Sequence, residues 1–293
     1  MENNVLKTGY RRLDDKYYGG IKRGELTMLY SRPGMGKSAL LANVFLNMIS
    51  QKPSRNCLFF VFDEPEKYVF EKMVCIKSRV SHWKYFDGED CTDQEKQKVR
   101  QTEEWLGEKV CAKTSKSRII DKAHSLAELL ICIAEAKASY GLDVVFIDRL
   151  EYLRDYAYED INHVVYILKE LAVRLDIAVF ATAYLARSKR DFPLPRRIKN
   201  KYVLRTADKI MILNRPEVLA TVEELENGHI VKGVAELTII KNYTGACGFV
   251  LLKFDGSTMR FFEPENDYDE WEEQLPYQLS TSNDHPYESG YEI

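Results

Sequence analysis

The chain has 293 residues, 45% of them hydrophobic and 30% charged, with a formal net charge of −3; this supports a real core in one large domain or two small ones and gives no global attraction for nucleic acid. Six cysteines (Cys57, Cys75, Cys91, Cys111, Cys132, Cys247) show no C-x-x-C spacing, which argues for reduced thiols of a cytosolic protein and against a zinc site. The N-terminus has no apolar signal region and no run nears membrane-spanning length, so a soluble, cytoplasmic protein is expected.

Residues 1 to 23 form a turn-rich lead-in holding Thr8-Gly9-Tyr10-Arg11-Arg12-Leu13-Asp14 and Gly19-Gly20-Ile21. Leu26 to Tyr30 reads as a buried strand, and from Lys37 the apolar positions Leu41, Val44, Phe45, Met48 and Ile49 repeat with helical spacing up to Pro53-Ser54. Cys57 to Phe62 is a second apolar run, stopping at Asp63-Glu64-Pro65, and the proline opens a helix from Glu66 to about Val80. Helices are expected around Gln94 to Leu106, from Leu126 to Tyr140 before Gly141, and from Asn162 to Leu175. Further buried strands fall at Val144 to Ile147, Ala178 to Ala183 and Lys209 to Leu213. Short buried strands alternating with helices predict a mostly parallel sheet flanked by helices. From Ala235 the texture changes to three glycine-punctuated strands, Glu236 to Lys241, Phe249 to Phe254 and Met259 to Phe262, an antiparallel meander. Residues 265 to 293 read as an acidic tail, disordered from about Ser280.

Between the first strand and its helix stands Ser31-Arg32-Pro33-Gly34-Met35-Gly36-Lys37-Ser38. A phosphate chain needs inward backbone N–H groups, a helix N-terminus, a lysine and a hydroxyl for Mg²⁺. Gly34 and Gly36 let the backbone close, Lys37 supplies the charge and Ser38 the hydroxyl. Serine at position 31, where the pattern has glycine, departs from it. Ligands bind at the carboxyl ends of parallel strands, where Asp63, Glu64 and Asp148 fall. Asp148, after Val-Val-Phe-Ile, suits a Mg²⁺ carboxylate, with a helix cap as the plainer reading. Asp63 or Glu64 suits a water-orienting base, against a cap pair for the Pro65 helix.

With these residues in view, the chain resembles the C-terminal, RecA-like motor domain of replicative DnaB-type DNA helicases. The resemblance is carried by Thr8-Gly9-Tyr10-x-x-Leu13-Asp14, the loop from Ser31 to Ser38, Phe59 to Pro65, Ser78-Arg79-Val80, Val145-Phe146-Ile147-Asp148-x-Leu150, Ala207-Asp208-x-Ile210-Met211 and Lys241-x-x-x-Gly245-x-x-Gly248. It spans about Thr8 to Phe262 and implies a RecA-like P-loop core with C-terminal antiparallel strands, residues 1 to 264 being the motor domain. It further implies ATP and Mg²⁺ as cofactors, single-stranded DNA as partner, a homo-oligomer in a hexameric ring, and a loader or primase. In that family a small residue commonly replaces the first loop glycine, as Ser31 does. The catalytic glutamate aligns with Asp63, a phosphate-sensing glutamine with Tyr184, and an arginine finger with Tyr243, whereas the family's lysine is kept as Lys241. Slow hydrolysis resting on Lys241 is therefore expected. No room precedes Thr8 for the family's N-terminal domain, so a minimal motor is expected.

The basic segment after the third strand holds Arg187, Lys189, Arg190, Arg196, Arg197, Lys199 and Lys201. Its place resembles the channel-lining loop of ring helicases, suited to backbone phosphates; the plainer reading is a solvated charged loop. An ATP-dependent helicase or single-stranded-DNA translocase is the function expected. The alternative is a catalytically weakened nucleotide-binding regulator or assembly ATPase, separable by DNA-stimulated hydrolysis.

Overall fold

The computed structural model describes residues 5–88, 90–153, 161–185, 200–220, 232–264, 271 and 275. The lead-in is more ordered than its composition suggests: β1 (Val5–Leu6) pairs antiparallel with β2 (Ile21–Lys22), with α1 (Arg11–Lys16) between them. Asp14 organises this turn, accepting hydrogen bonds at Oδ1 from Thr8 N and Oγ1, both 2.8 Å, and at Oδ2 from Gly9 N at 3.2 Å. Gly9 has φ +87°, and a Cβ there would sit 2.6 Å from Asn47, so glycine is required on two counts. Glu263 binds the Arg11 and Arg12 amides at 2.8 and 2.7 Å, placing an acid where the free N–H groups of α1 point.

The main chain of alternation follows as β3 (Leu26–Ser31), α2 (Lys37–Ser50), β4 (Cys57–Phe60), α3 (Glu66–Ser78), α4 (His82–Asp87), α5 (Asp93–Val110), β5 (Arg118–Ile120), α6 (Leu126–Tyr140), β6 (Val144–Ile147), α7 (Ile161–Leu175), β7 (Ala178–Tyr184), α8 (Lys201–Thr206) and β8 (Lys209–Asn214). The meander is β9 (Val234–Asn242), β10 (Gly248–Asp255) and β11 (Arg260–Phe262). Among the described residues they form one sheet, in the order β11-β10-β9-β8-β3-β7-β6-β4-β5. Pairings from β8 to β5 are parallel, and those from β8 to β11 antiparallel. The α/β architecture expected from the sequence is thus present. Strand β4 is shorter than its apolar run, and β5, α4 and α8 were not foreseen.

Strand period 2 divides the apolar residues between two cores. Phe59, Phe146 and Phe180 stand opposite one another on β4, β6 and β7 and meet Phe45 of α2, which contacts Phe59 and Phe146 edge-on at 5.4 and 5.7 Å. Their neighbours Leu58, Val145 and Val179 face the other way, against α6 and α7. Asn43 of α2 completes the sheet edge, donating to Met259 O at 3.0 Å and accepting from Phe261 N at 3.2 Å. Strand β9 carries a bulge: Met211 faces Ile239 and Ile210 faces Lys241, leaving Ile240 as the extra residue. In the acidic tail, Leu275 is buried with Val234 and Leu251, and Trp271 packs against the same cluster; the stretch from Ser280 lies outside the described residues. Among the described residues no helix is long and apolar enough to cross a membrane.

Candidate functional site

Strand β3 lies between β7 and β8, so the loop leaving it emerges at the carboxyl edge of the parallel strands. Ser31 is still within β3, paired with Tyr184, and its hydroxyl donates to Arg32 O at 2.8 Å. Its backbone is extended, so the missing glycine costs nothing there. The left-handed positions are Gly34 at φ +82° and Gly36 at φ +92°; a Cβ on Gly36 would come 3.1 Å from Phe261. Met35 is buried and its Sδ accepts from Arg215 N at 3.3 Å, anchoring the loop. Helix α2 then opens at Lys37 with no side-chain cap, so its first N–H groups face the loop's interior.

A cleft of about 270 Å³ lies over this loop, lined among others by Gly34, Gly36, Lys37, Ser38, Glu64, Lys72, Asp148, Arg149 and Tyr184. Asp148 is 1% exposed. It receives hydrogen bonds from the Ser38 and Thr182 hydroxyls, the latter at 2.8 Å, while burial pushes its pKa up against those bonds. Lys37 is buried, with Nζ 3.7 Å from the centre of the Tyr184 ring. Burial lowers its pKa to about 8, against the pull of Glu151 and Asp148. These oxygens and this ammonium are the hard donor set and the cation that a metal-bound polyphosphate requires.

The two adjacent acids separate. Asp63 pairs with the Arg149 guanidinium, whereas Glu64 lines the cleft and pairs with Lys72 there. Three contributors escaped the sequence reading. Arg149 sits directly after Asp148. Glu151 has both carboxylate oxygens buried with no side-chain partner among the described residues. Arg215 lies over the Phe254 ring at 3.8 Å, beside Phe261, forming an aromatic lip near Gly36. Only the aromatic and cationic residue types of that lip were visible in sequence, without the sheet that joins them.

Lys241 is not in this cleft. It sits opposite Ile210 near the start of β8, the far end of that strand from Asn214, and its Nζ donates to Ala207 O at 2.6 Å and Arg205 O at 3.2 Å. It thus holds the final carbonyls of α8. Tyr243 is 79% exposed. Of the basic segment, Lys201 opens α8 and is exposed. Arg187, Lys189, Arg190, Arg196, Arg197 and Lys199 lie outside the described residues.

Comparison with known proteins gives a consistent picture. The family described as DnaB-like helicase C terminal domain matches residues 5–263. The replicative DNA helicase DnaB of Haemophilus influenzae is 28% identical over 272 residues, an alignment covering 87% of this chain and 54% of that protein. A probable plasmid replicative DNA helicase of Chlamydia psittaci is 24% identical over 267 residues, covering 87% and 55%. This chain therefore spans about half the length of the curated relatives it matches. Among solved structures, a DnaB-like replicative helicase described with its interactions with primase superposes with TM-score 0.77 at 23% identity, over 90% of this chain and 65% of the other. A second solved structure, described as an ATPase domain, gives 0.76 at 22% identity, over 89% and 92%. At these identities the superpositions speak for the fold.

Proposed function

This chain belongs to the DnaB-like helicase C-terminal domain family, and from that premise we propose that it is an ATP-hydrolysing motor that acts on single-stranded DNA in replication. The observation that carries the reading is one cleft containing a glycine loop, a helix N-terminus, Lys37, Ser38, Asp148 and Glu64. Residues 1–264 act as the motor domain. The loop from Ser31 to Ser38 cradles the phosphates with its amides, and Lys37 meets the terminal ones.

The Ser38 hydroxyl and the Asp148 carboxylate would hold Mg²⁺; both are oxygen donors already aimed at each other. Bound there, the ion would neutralise charge on the phosphates. Glu64 orients the attacking water and accepts its proton, since of the two acids it is the one that lines the cleft, where it also pairs with Lys72. The lip of Arg215, Phe254 and Phe261 beside Gly36 would offer an aromatic and cationic surface to the base of the nucleotide.

Lys241, remote from its own cleft, serves a neighbouring subunit's nucleotide in a homo-oligomer, which we read as a hexameric ring. Arg187, Lys189, Arg190, Arg196, Arg197, Lys199 and Lys201 bind the phosphate backbone of single-stranded DNA. A structural relative is described with primase, and we extend a primase or loader as partner to this chain, acting in the cytoplasm. The test is ATP hydrolysis by the native protein and Lys37→Ala, with and without single-stranded DNA, alongside solution mass with Mg-ATP. DNA-stimulated turnover that Lys37→Ala abolishes supports the reading; turnover indifferent to both would overturn it.

A further inference from the structure

One strong charge in the cleft has no task in that scheme. Arg149 is the one arginine lining the cleft among the described residues. Its backbone sits at φ +64°, a left-handed conformation that a long side chain seldom adopts and that clusters at functional positions. What holds it there is specific: Arg149 N donates to Thr182 Oγ1 at 2.8 Å, and that same hydroxyl donates to Asp148 Oδ1 at 2.8 Å. One threonine thus fixes both the buried carboxylate and the root of the arginine. The turn beyond is pinned by Leu150 and Leu153, both buried.

Part of the guanidinium faces the cleft: the Arg149 side chain lines it and is 27% exposed. Nη1 is bound by Asp63, the side chain also hydrogen-bonds Tyr184, and Nε is buried with no partner among the described residues. Its Cζ lies 5.8 Å from the centre of the Tyr184 ring, whose face carries Lys37 Nζ at 3.7 Å. Two cations therefore flank one ring at the place where the loop would present the end of a polyphosphate. The exposed part of the guanidinium, not the buried Nε, is what an entering phosphoryl oxygen would meet.

We propose that Arg149 is a catalytic residue acting in cis, its guanidinium donating to the terminal phosphoryl group as charge builds on its equatorial oxygens. Asp63 is then a positioning residue that holds one arm of the fork so that the rest faces the phosphate. No bond to Arg149 forms or breaks: water attacks phosphorus, the bond to the β-phosphate oxygen breaks, and the guanidinium stabilises the charge between them. A planar fork suits three diverging oxygens where a lysine offers a point charge. The proposal rests on the ATPase reading above.

The test compares native protein, Arg149→Ala, Arg149→Lys and Lys37→Ala. Arg149→Ala is expected to lose about 10³-fold in kcat while binding ADP as the native protein does, which also shows that it folds. Arg149→Lys should not restore the rate. ADP with aluminium fluoride, a mimic of the transferring phosphoryl group, should bind the native protein more tightly than ADP alone and Arg149→Ala no more tightly. Mixing Arg149→Ala with Lys37→Ala subunits should recover nothing, because each arginine serves its own cleft. Native turnover by Arg149→Ala, rescue by lysine, or recovery on mixing would overturn the proposal. Hydrolysis by Lys37→Ala at the native rate would instead overturn the ATPase reading itself, a distinguishable result.

Discussion

Asp63 Oδ2 is bound by Arg149 Nη1 across the carboxyl ends of β4 and β6, 86 residues apart in sequence, while Glu64, one residue on, faces the cleft. The pair therefore divides the labour that sequence alone leaves shared. Glu64→Gln is expected to lower kcat by about 10² to 10⁴ with little change in ATP affinity, as for loss of a general base. Asp63→Asn should cost less, through a looser Arg149. Steady-state kcat and KM for both variants check this; equal, mild effects would leave neither acid as the base, and the helix after Pro65 takes no cap from them, its Glu66 amide donating to Asp121 Oδ2 at 2.9 Å.

Lys241 caps α8 through two carbonyls, and the proposal above gives it a second role toward a neighbouring subunit's nucleotide. Lys241→Ala should remove the part of hydrolysis that grows with protein concentration and cost about 0.3 to 1 kcal/mol of stability from the lost cation at a helix C-terminus. Tyr243→Arg, at an exposed side chain, should raise the concentration-dependent part. ATPase rate across the assembly range, with urea unfolding of the dilute protein, separates the two effects.

The basic segment should be tested as a unit. Neutralising Arg196, Arg197 and Lys199 together is expected to weaken single-stranded DNA binding and flatten its salt dependence, because a phosphate that no side chain neutralises keeps its counterions. ADP binding should survive. An unaltered salt slope would make the segment a solvated loop.

Asp14 gives a pH dependence. Burial raises its pKa from 3.8 to about 6, outweighing the hydrogen bonds from Thr8 and Gly9 that favour the ionised form. An acid whose folded pKa is raised binds its proton more tightly when folded, so its contribution is full below 3.8 and is lost as pH rises through about 6. The stability advantage of native protein over Asp14→Asn should therefore narrow from about pH 4 to about pH 6 and stay level above. Urea unfolding across that range tests it; an advantage that widens with pH would show that the hydrogen bonds win.

Strands and helices with strong period, such as Val144–Ile147 and Leu126–Tyr140, were legible because burial on both faces or on one stripe leaves a local signature. Arg118–Ile120 was not: three residues beside charge carry no period, and the strand exists because β4 offers an edge. The loop from Ser31 to Ser38 and Asp148 were legible as chemistry at fixed spacing. Arg149 was not, since an arginine after a buried strand looks like any surface cation until Thr182 and Asp63 are brought beside it.

Ile240 makes β9, inside the sheet between β10 and β8, unusual in how it tolerates a change of length. Removing one residue from a strand ordinarily sends every side chain beyond it to the opposite face. At this bulge, deletion of Ile240 would instead regularise the ladder: Ile239 would stay opposite Met211, Lys241 opposite Ile210 and Asn242 opposite Lys209, with both side chains beyond keeping their present sides. The loss would be one aliphatic side chain from the core beneath α7 and α8, together with the Ile240 carbonyl that accepts from Cys247 Sγ at 3.5 Å. The hairpin that carries Lys241 and Tyr243 thus keeps its pairing with β8 through this single deletion, whereas a deletion at Thr238 would leave the pairing of everything after it to be renegotiated.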